Sequence, residues 1–517
     1  MANDEFGDFQ TPEGLVVEVL STLQLNQFDR ILEPTCGVGN FLRGVKNEHP
    51  DAEFFGVEIQ EQYAAAAKSY GNIIVADAMK IDFGRDIKWS STGSMLVIGN
   101  PPWVTNAALT ALGSENKPKL ANIRGLSGLD ALTGASNFDI AEAIILKLIA
   151  ELSDQSPTIA MLCKTQVARN ILSYCAQFNL GVANSQVYEI DAKKWFNAGV
   201  DACLFILKLE TGTSNYIADV FPTLSSTNPT KQIGVVGGRL VSDVDKYVHT
   251  KSADGESPLV WRQGIKHDST MTMELVESNG PHKKTGERVD IELDFLYPML
   301  KCTDVFRGRT IDLSKWMVVP QRHTGDDTSK LKTIAPKLWG YLVEHGDALD
   351  NRKSSIYRNR ARFCIFGVGE YSFAPYKVAV SAMHKEPIFR LVAPIDGRPV
   401  VFDDVCYFTS FQTLGEAAIV WAIMQSKPAQ DLITSLCFTD SKRPITKKLL
   451  QRLDLNVLAG LTPEKVLVTA ALQICAETNL SISSESLNTA LRELKVSWRG
   501  ELNEALFQLE DMRASSS

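Results

Sequence analysis

One tetrapeptide in this sequence has the residue types for chemistry on an amino group: Asn100-Pro101-Pro102-Trp103. Two consecutive prolines lock φ and remove two backbone N–H donors, leaving carbonyl oxygens free to accept. The Asn100 side-chain oxygen is a further acceptor. An amino group held through both hydrogens by two fixed acceptors has its lone pair aimed in one direction, toward an electrophile placed for in-line displacement. Positioning and electrostatics then carry most of the catalysis, and no strong general base is needed. Trp103 offers a flat face against which an extruded nucleobase can stack. Read blandly, the same residues make a rigid turn with a tucked-in indole. Their place directly after the apolar run Met95-Leu96-Val97-Ile98 favours chemistry.

A second group has the pattern of a cofactor site. Glu33-Pro34-Thr35-Cys36-Gly37-Val38-Gly39 follows the apolar Arg30-Ile31-Leu32 and opens a helical stretch. Glycines there let the backbone approach a ligand closely at a helix N-terminus. The loop has G-x-G alone, short of the full dinucleotide fingerprint. The next apolar run ends in Glu58-Ile59, about twenty residues on, where an acid can accept from ribose hydroxyls. The third ends in Ala76-Asp77-Ala78, where Asp77 can accept from an adenine amino group or simply cap a helix. Three successive runs each end in a polar residue at one edge, and together they say more than any one of them.

The elements that must position these residues alternate. Helical patterns over 13–23, after Gly39, over 61–70 and over 138–151 are interleaved with apolar runs at 30–32, 53–58, 73–75, 95–98 and 158–162. This rhythm predicts a parallel sheet covered on both faces. It fades at 212–290, where Thr211–Asn215, Ser225–Pro229 and Ser252–Ser257 read as linker or insert. Residues 291–455 have the shorter period of an α+β domain, and 456–517 read as helical. The expected organisation is therefore a catalytic domain at 1–211, a linker or insert at 212–290, a recognition domain at 291–455 and a helical tail at 456–517.

Bulk properties narrow the classes. No apolar run is long enough to span a membrane, and the N-terminus is acidic and polar, unlike a secretory signal. Nine scattered cysteines make neither a zinc pattern nor a disulfide framework, so a reducing cytoplasm is expected and no metal. The net charge of −8 argues against nucleic acid as a partner, but phosphate contacts depend on local patches. Two such patches stand out: Arg352-Lys353-Ser354-Ser355-Ile356-Tyr357-Arg358-Asn359-Arg360-Ala361-Arg362, and Ser441-Lys442-Arg443-Pro444 through Lys448. Arginine interleaved with Ser, Tyr and Asn suits phosphates and base edges. A solvated charged face is the plainer alternative. The loop between Val104 and Ala135 adds Lys117, Lys119 and Arg124 beside the Asn100 segment and is expected to order over DNA.

Asn100–Trp103 resembles the N-P-P-[YFW] motif of the gamma-class amino-methyltransferases, which act on adenine in DNA. The resemblance extends in order along the first 210 residues. Gly7-Asp8-Phe9-Gln10-Thr11-Pro12 is similar to the N-terminal motif that closes over the cofactor's methionine end. Glu33 to Gly39 resembles the first cofactor motif, Glu58 the ribose-binding acid and Asp77 the residue facing the cofactor's adenine. Ser136-Asn137-Phe138-Asp139 resembles the motif after the catalytic loop. Lys194-Trp195-Phe196-Asn197-Ala198-Gly199-Val200 resembles the motif whose Phe presses on the target base, here Phe196 with Trp195 as its rival. Trp103 stands where Tyr is commoner in the family.

The resemblance implies a Rossmann-like S-adenosylmethionine-dependent domain, followed by a target-recognition domain for double-stranded DNA, and base flipping. It implies S-adenosylhomocysteine as the product. Phe9, Thr11, Glu33, Thr35, Cys36, Gly37, Gly39, Glu58, Ile59, Asp77, Ala78 and Asn100 would line the cofactor site. Tyr297-Pro298-Met299-Leu300-Lys301, Phe366 through Val378 (with Lys377) and Asp403 through Phe408 are similar to recognition domains of restriction-modification methyltransferases. The chain starts almost at the first motif, so any cutting enzyme is expected on a separate chain, in a prokaryotic cytoplasm and at the nucleoid when bound. The alternatives are cytosine N4 methylation, an RNA or protein-glutamine target, and a non-catalytic DNA-binding subunit. Intact Asn100, Trp103, Glu58 and Asp77 speak against the last.

Overall fold

The computed structural model describes residues 10–104, 139–277, 281–282, 286–311 and 315–498. The chain divides into two compact units, Met1–Val248 and His249–Ser517.

The first unit is built on one ten-stranded sheet. Its strands are β1 Arg30–Glu33, β2 Glu53–Glu58, β3 Asn72–Val75, β4 Met95–Gly99, β5 Thr158–Lys164, β6 Val182–Ile190, β7 Ala202–Leu209, β8 Ile217–Phe221, β9 Lys231–Val236 and β10 Arg239–Val241. They lie in the order β10-β9-β8-β6-β7-β5-β4-β1-β2-β3. Strands β3, β2, β1, β4 and β5 are mutually parallel, and β7 runs antiparallel between β5 and β6. Parallel neighbours require crossovers, and helices Asn40–Glu48, Glu61–Ala67 and Ile140–Leu152 lie within those connections. Strand β4 is buried along its whole length, which explains its unbroken apolar run. All five expected strands are present.

The chain order reverses between β1 and β4. In open sheets of this kind the crevice at such a switch, beyond the carboxyl ends of the strands, is where ligands bind. Glu33, Glu58 and the Asn100 segment all leave the sheet at that edge.

Within the stretch expected as linker or insert, residues 217–241 hold strands: β8, β9 and β10 extend the same sheet beyond 211. β8 pairs parallel with β6, and β9 antiparallel with β8. The Ser-rich stretch at 225–229 is the connection between β8 and β9, and Gly237-Gly238, both at positive φ, turn β9 into β10. Hairpins built from short, half-buried strands leave a composition much like that of a linker. The signal was the Gly-Gly turn, which a count of polar residues hides.

The second unit is α+β, as expected. It holds a four-stranded antiparallel sheet of β11 Arg262–Gln263, β16 Tyr376–Ser381, β17 Phe389–Val392 and β19 Cys406–Phe411. A five-stranded sheet comprises β12 Glu274–Glu277, β13 Pro281–His282, β14 Leu296–Leu300, β15 Lys315–Val318 and β18 Val401–Phe402. Helix Leu414–Gln425 is fixed at its start by a Thr413–Glu416 capping box. Helix Glu464–Glu477 and a further helix at 484–498 follow.

Candidate active site

The site begins with the loop after β1. Gly37 and Gly39 both take the left-handed region, with φ of 52° and 84°. A side chain on Gly37 would meet the Gln10 amide at 2.6 Å, so the loop passes directly under the N-terminal segment. Gln10 Oε1 accepts from the Val38 N–H at 3.2 Å, and the Thr11 carbonyl accepts from Asn40 Nδ2 at 2.8 Å. Residues 10–11 are thereby stitched over the loop, and Thr11 is buried.

Two carboxylates brace this loop from beneath. Glu58 Oε2 accepts from the Gly37 N–H at 2.9 Å and Oε1 from the Gln60 N–H at 2.8 Å. Glu33 is fully buried, and burial pushes its carboxyl well above the usual range. The Leu42 N–H bond pulls it down, and the nearby Glu58 charge pushes it further up. Cys36 is held as an inert thiol, because burial, Glu33 and Glu58 all raise its pKa. Asp77 caps the turn that follows it, with Oδ1 accepting from the Met79 N–H at 2.9 Å, and Oδ2 lies 3.2 Å from Lys80 Nζ. The capping alternative is therefore realised, although the residue also lines the cavity described next.

The strand ends, the loop and the Asn100 segment share one cavity. Its empty volume is about 1150 Å³, counting the part open to solvent. Its walls include Thr11, Glu33, Thr35, Cys36, Gly37, Glu58, Ile59, Asp77, Ala78, Asn100, Pro101, Pro102, Trp103 and Phe196. Gly39 is the one described residue of the expected cofactor set outside the lining. It packs instead against Ala67 and Tyr70, and so shapes the turn. Phe9, Lys117, Lys119, Arg124 and Ser136–Phe138 lie outside the described residues. The expected site set lacks several residues of the walls, among them Gln10, Asn40, Val57, Gln60, Met79, Ile140 and Ile144. Gln10 was legible as part of the 7–12 motif; Ile140 and Ile144 look like any buried helix face.

The two aromatic residues meet at the far side of the cavity. Trp103 Nε1 donates to the Leu162 carbonyl of β5 at 3.2 Å, which anchors the indole. Phe196, the last residue of helix Ala192–Phe196, stands edge-to-face with it, ring centroids 5.0 Å apart at 68°. Trp195 is not in the lining; it packs under Gly14 and beneath Lys194. The structure thus sets Phe196, not its neighbour, against Trp103.

In the second unit, the basic residues expected at DNA fall into two classes. Lys377 is buried in β16 with Nζ 2.6 Å from the Ala374 carbonyl, and burial lowers its pKa to about 7. It cannot reach a phosphate from there, which corrects the expectation. Arg352 turns inward too: Nη1 donates to the Cys364 and His267 carbonyls and Nε to that of Leu349, with the guanidinium over Tyr357. Arg362 forks onto Asp350, and Arg443 lies 4.0 Å from Asp404. Lys353, Arg358, Arg360 and Lys442 are exposed. Arg352 and the exposed but ion-paired Arg362 therefore hold the base of a loop that also presents Lys353, Arg358 and Arg360 to solvent.

Comparison with known proteins follows the same lines. No family model matches the sequence. The type II methyltransferase M.NspV of Nostoc sp. is 40% identical over 468 residues, covering 88% of this chain and 97% of that protein. The type II methyltransferase M.CvrRI of Paramecium bursaria Chlorella virus XZ-6E is 26% identical over 271 residues, 50% of this chain and 68% of that protein. The type IIL restriction-modification enzyme MmeI, solved in complex with DNA, superposes with a TM-score of 0.53 at 12% identity, covering 94% of this chain and 72% of that one. At that identity the likeness is one of fold.

Proposed function

This chain belongs to the type II methyltransferase family, and we propose that it methylates the 6-amino group of adenine in duplex DNA, at a specific site and on a flipped-out base. The observation that carries the reading is that a single cavity is walled by both the strand-end acids and the Asn100–Trp103 turn. A cofactor and a target amine can meet only where those two sets of residues meet.

S-adenosylmethionine is the cofactor, and the residues present fit it. The donor and acceptor set of the cavity suits a cationic amino acid joined to a nucleoside, since Glu33, Glu58 and Asp77 are all acids. The Thr35 hydroxyl is buried with no hydrogen-bond partner among the described residues, which leaves it available to a ligand. Glu58 would hold the ribose hydroxyls, Asp77 would face the adenine, and Thr11 with the Gly37 loop would enclose the methionine end. Bound there, S-adenosylmethionine supplies an activated methyl group.

The chain's own residues supply orientation. Asn100 and a backbone carbonyl of the Pro-Pro turn accept the two amino hydrogens and turn the nitrogen lone pair toward the cofactor. Trp103 and Phe196 form a corner of two rings inclined at 68° that fits a flat base by one face and one edge. Lys353, Arg358, Arg360 and Lys442 would meet DNA phosphates, and the modification would protect DNA from an endonuclease on a separate chain.

Labelled-methyl transfer to duplex DNA, followed by sequencing that distinguishes N6-methyladenine from N4-methylcytosine, tests this directly. Methylated adenine at one recurring sequence is the expected result. Asn100→Ala should abolish transfer while retaining cofactor binding. Label in cytosine, RNA or protein instead, or a fully active Asn100→Ala, would overturn the assignment.

A further inference from the structure

Behind the cavity wall, a ring of bonds anchors the segment that follows Asn100. Trp103 Nε1 donates to the Leu162 carbonyl on β5 at 3.2 Å. Two residues further on, at the end of β5, Lys164 Nζ donates to Asp139 Oδ2 at 2.8 Å. Asp139 Oδ1 caps helix Ile140–Leu152 by accepting from the Ala141 N–H at 3.0 Å. The Ile140 N–H in turn donates to the carbonyl of Val104 at 3.0 Å, the residue after Trp103. The circuit runs Trp103, Leu162, Lys164, Asp139, Ile140, Val104 and back to Trp103. Its one charged link is Lys164–Asp139, whose side chains are 24% and 10% exposed.

A link of this kind does something packing does not. An apolar pair would hold β5 and the helix together as firmly, and often at less cost in desolvation. A charge-assisted hydrogen bond with one oxygen committed to the cap and the other to lysine also fixes direction. Neither residue lines the cavity, so neither can touch a ligand there. We propose that Asp139 and Lys164 are a positioning pair: they hold Trp103 and Val104 against β5, and through them set the Asn100 acceptor relative to the target amine. This rests on the methyltransferase reading above.

The test uses Asp139→Asn, which keeps a good N-cap acceptor but loses the charge, with Lys164→Met, Lys164→Arg and the Asp139→Asn/Lys164→Met double variant of the full chain. Misplacing a reacting group by about an ångström costs roughly 100-fold. Single-turnover methyl transfer is therefore expected to fall about 10- to 100-fold in Asp139→Asn and Lys164→Met. Equilibrium cofactor affinity should stay within about twofold. The double variant should be no slower than the slower single one, and Lys164→Arg should recover part of the rate. Hydrogen exchange at the Ile140 amide should speed up in Lys164→Met, a readout that needs no activity. Wild-type rates in the single variants, multiplicative losses in the double, or unchanged exchange at Ile140 would each overturn the proposal. Failure of the underlying reading looks different: the wild-type chain itself would transfer no methyl group to DNA.

Discussion

Lys377 shows most plainly how the same residue type can serve unlike ends. It lies in a segment that resembles recognition domains of DNA methyltransferases, yet it is enclosed in the mostly apolar β16, where its Nζ meets the Ala374 carbonyl. Burial disfavours its charged form and brings its pKa down to about 7, from an unfolded value near 10.5. Between those two values the unfolded chain binds more protons than the native one, so stability rises with pH across that window. The penalty is fully present below pH 7 and gone above about pH 10.5. Lys377→Met should therefore stabilise the chain at pH 7 by an amount on the order of a few kcal/mol, less the lost bond to Ala374, and the advantage should shrink steadily toward pH 10. Chemical denaturation at several pH values reads this out; a difference that stays flat from pH 7 to pH 10 would refute it. Arg352 and Arg362 make the same point: donors of both guanidinium groups are used on the protein itself.

At the scale of elements, the site depends on where strands stop. β1, β2 and β4 end at one edge of the sheet, and the reversal of order between β1 and β4 opens the crevice there. The Gly37 loop fills one side of it, clamped between the Glu58 carboxylate below and Gln10 above. Adding a methyl group at Gly37 puts an L side chain into the left-handed region, at about 1–2 kcal/mol, and forces Gln10 out of the way. Gly37→Ala should thus lower stability by about that amount and weaken cofactor binding by more than the stability loss implies. Calorimetric titration beside thermal melting separates the two effects. Full cofactor affinity in this variant would show that the Gln10 stitch does not matter. β8, β9 and β10 are a different case: they lengthen the sheet away from this edge and supply none of the cavity's walls.

For the whole molecule the central fact is a net charge of −8 on a chain proposed to grip a polyanion. Overall charge governs steering from a distance, while affinity depends on how many phosphates are neutralised locally. The exposed cations of the 352–362 loop make that distinction measurable. Arg358→Ala and Arg360→Ala should each weaken DNA binding alike across sequences and flatten the dependence of log affinity on log salt by about 0.9. Arg352→Ala should instead lower stability by about 2–4 kcal/mol through its three backbone carbonyls. Salt titrations of affinity beside melting curves would sort the three. An unchanged salt slope in the Arg358 and Arg360 variants would remove this loop from the DNA surface.

Read alone, the sequence was enough for the reaction class, the sheet up to β5 and most of the residues that line the cavity. Those features are local: Asn100–Trp103 and Glu33–Gly39 are contiguous, and apolar strands declare themselves by unbroken hydrophobic runs. Phe196 was legible as well, though only through its motif. What the tertiary structure decided is which residues face which way. Lys377 and Arg358 each follow a tyrosine, yet Lys377 enters an apolar strand run and is buried while Arg358 stays exposed among polar residues. The Lys164–Asp139 pair spans 25 residues, and no periodicity connects its ends. The hairpin strands past 211 were hidden for a related reason: they are short, their pairing partners lie elsewhere in the chain, and the polar turns between them dominate the composition of the stretch.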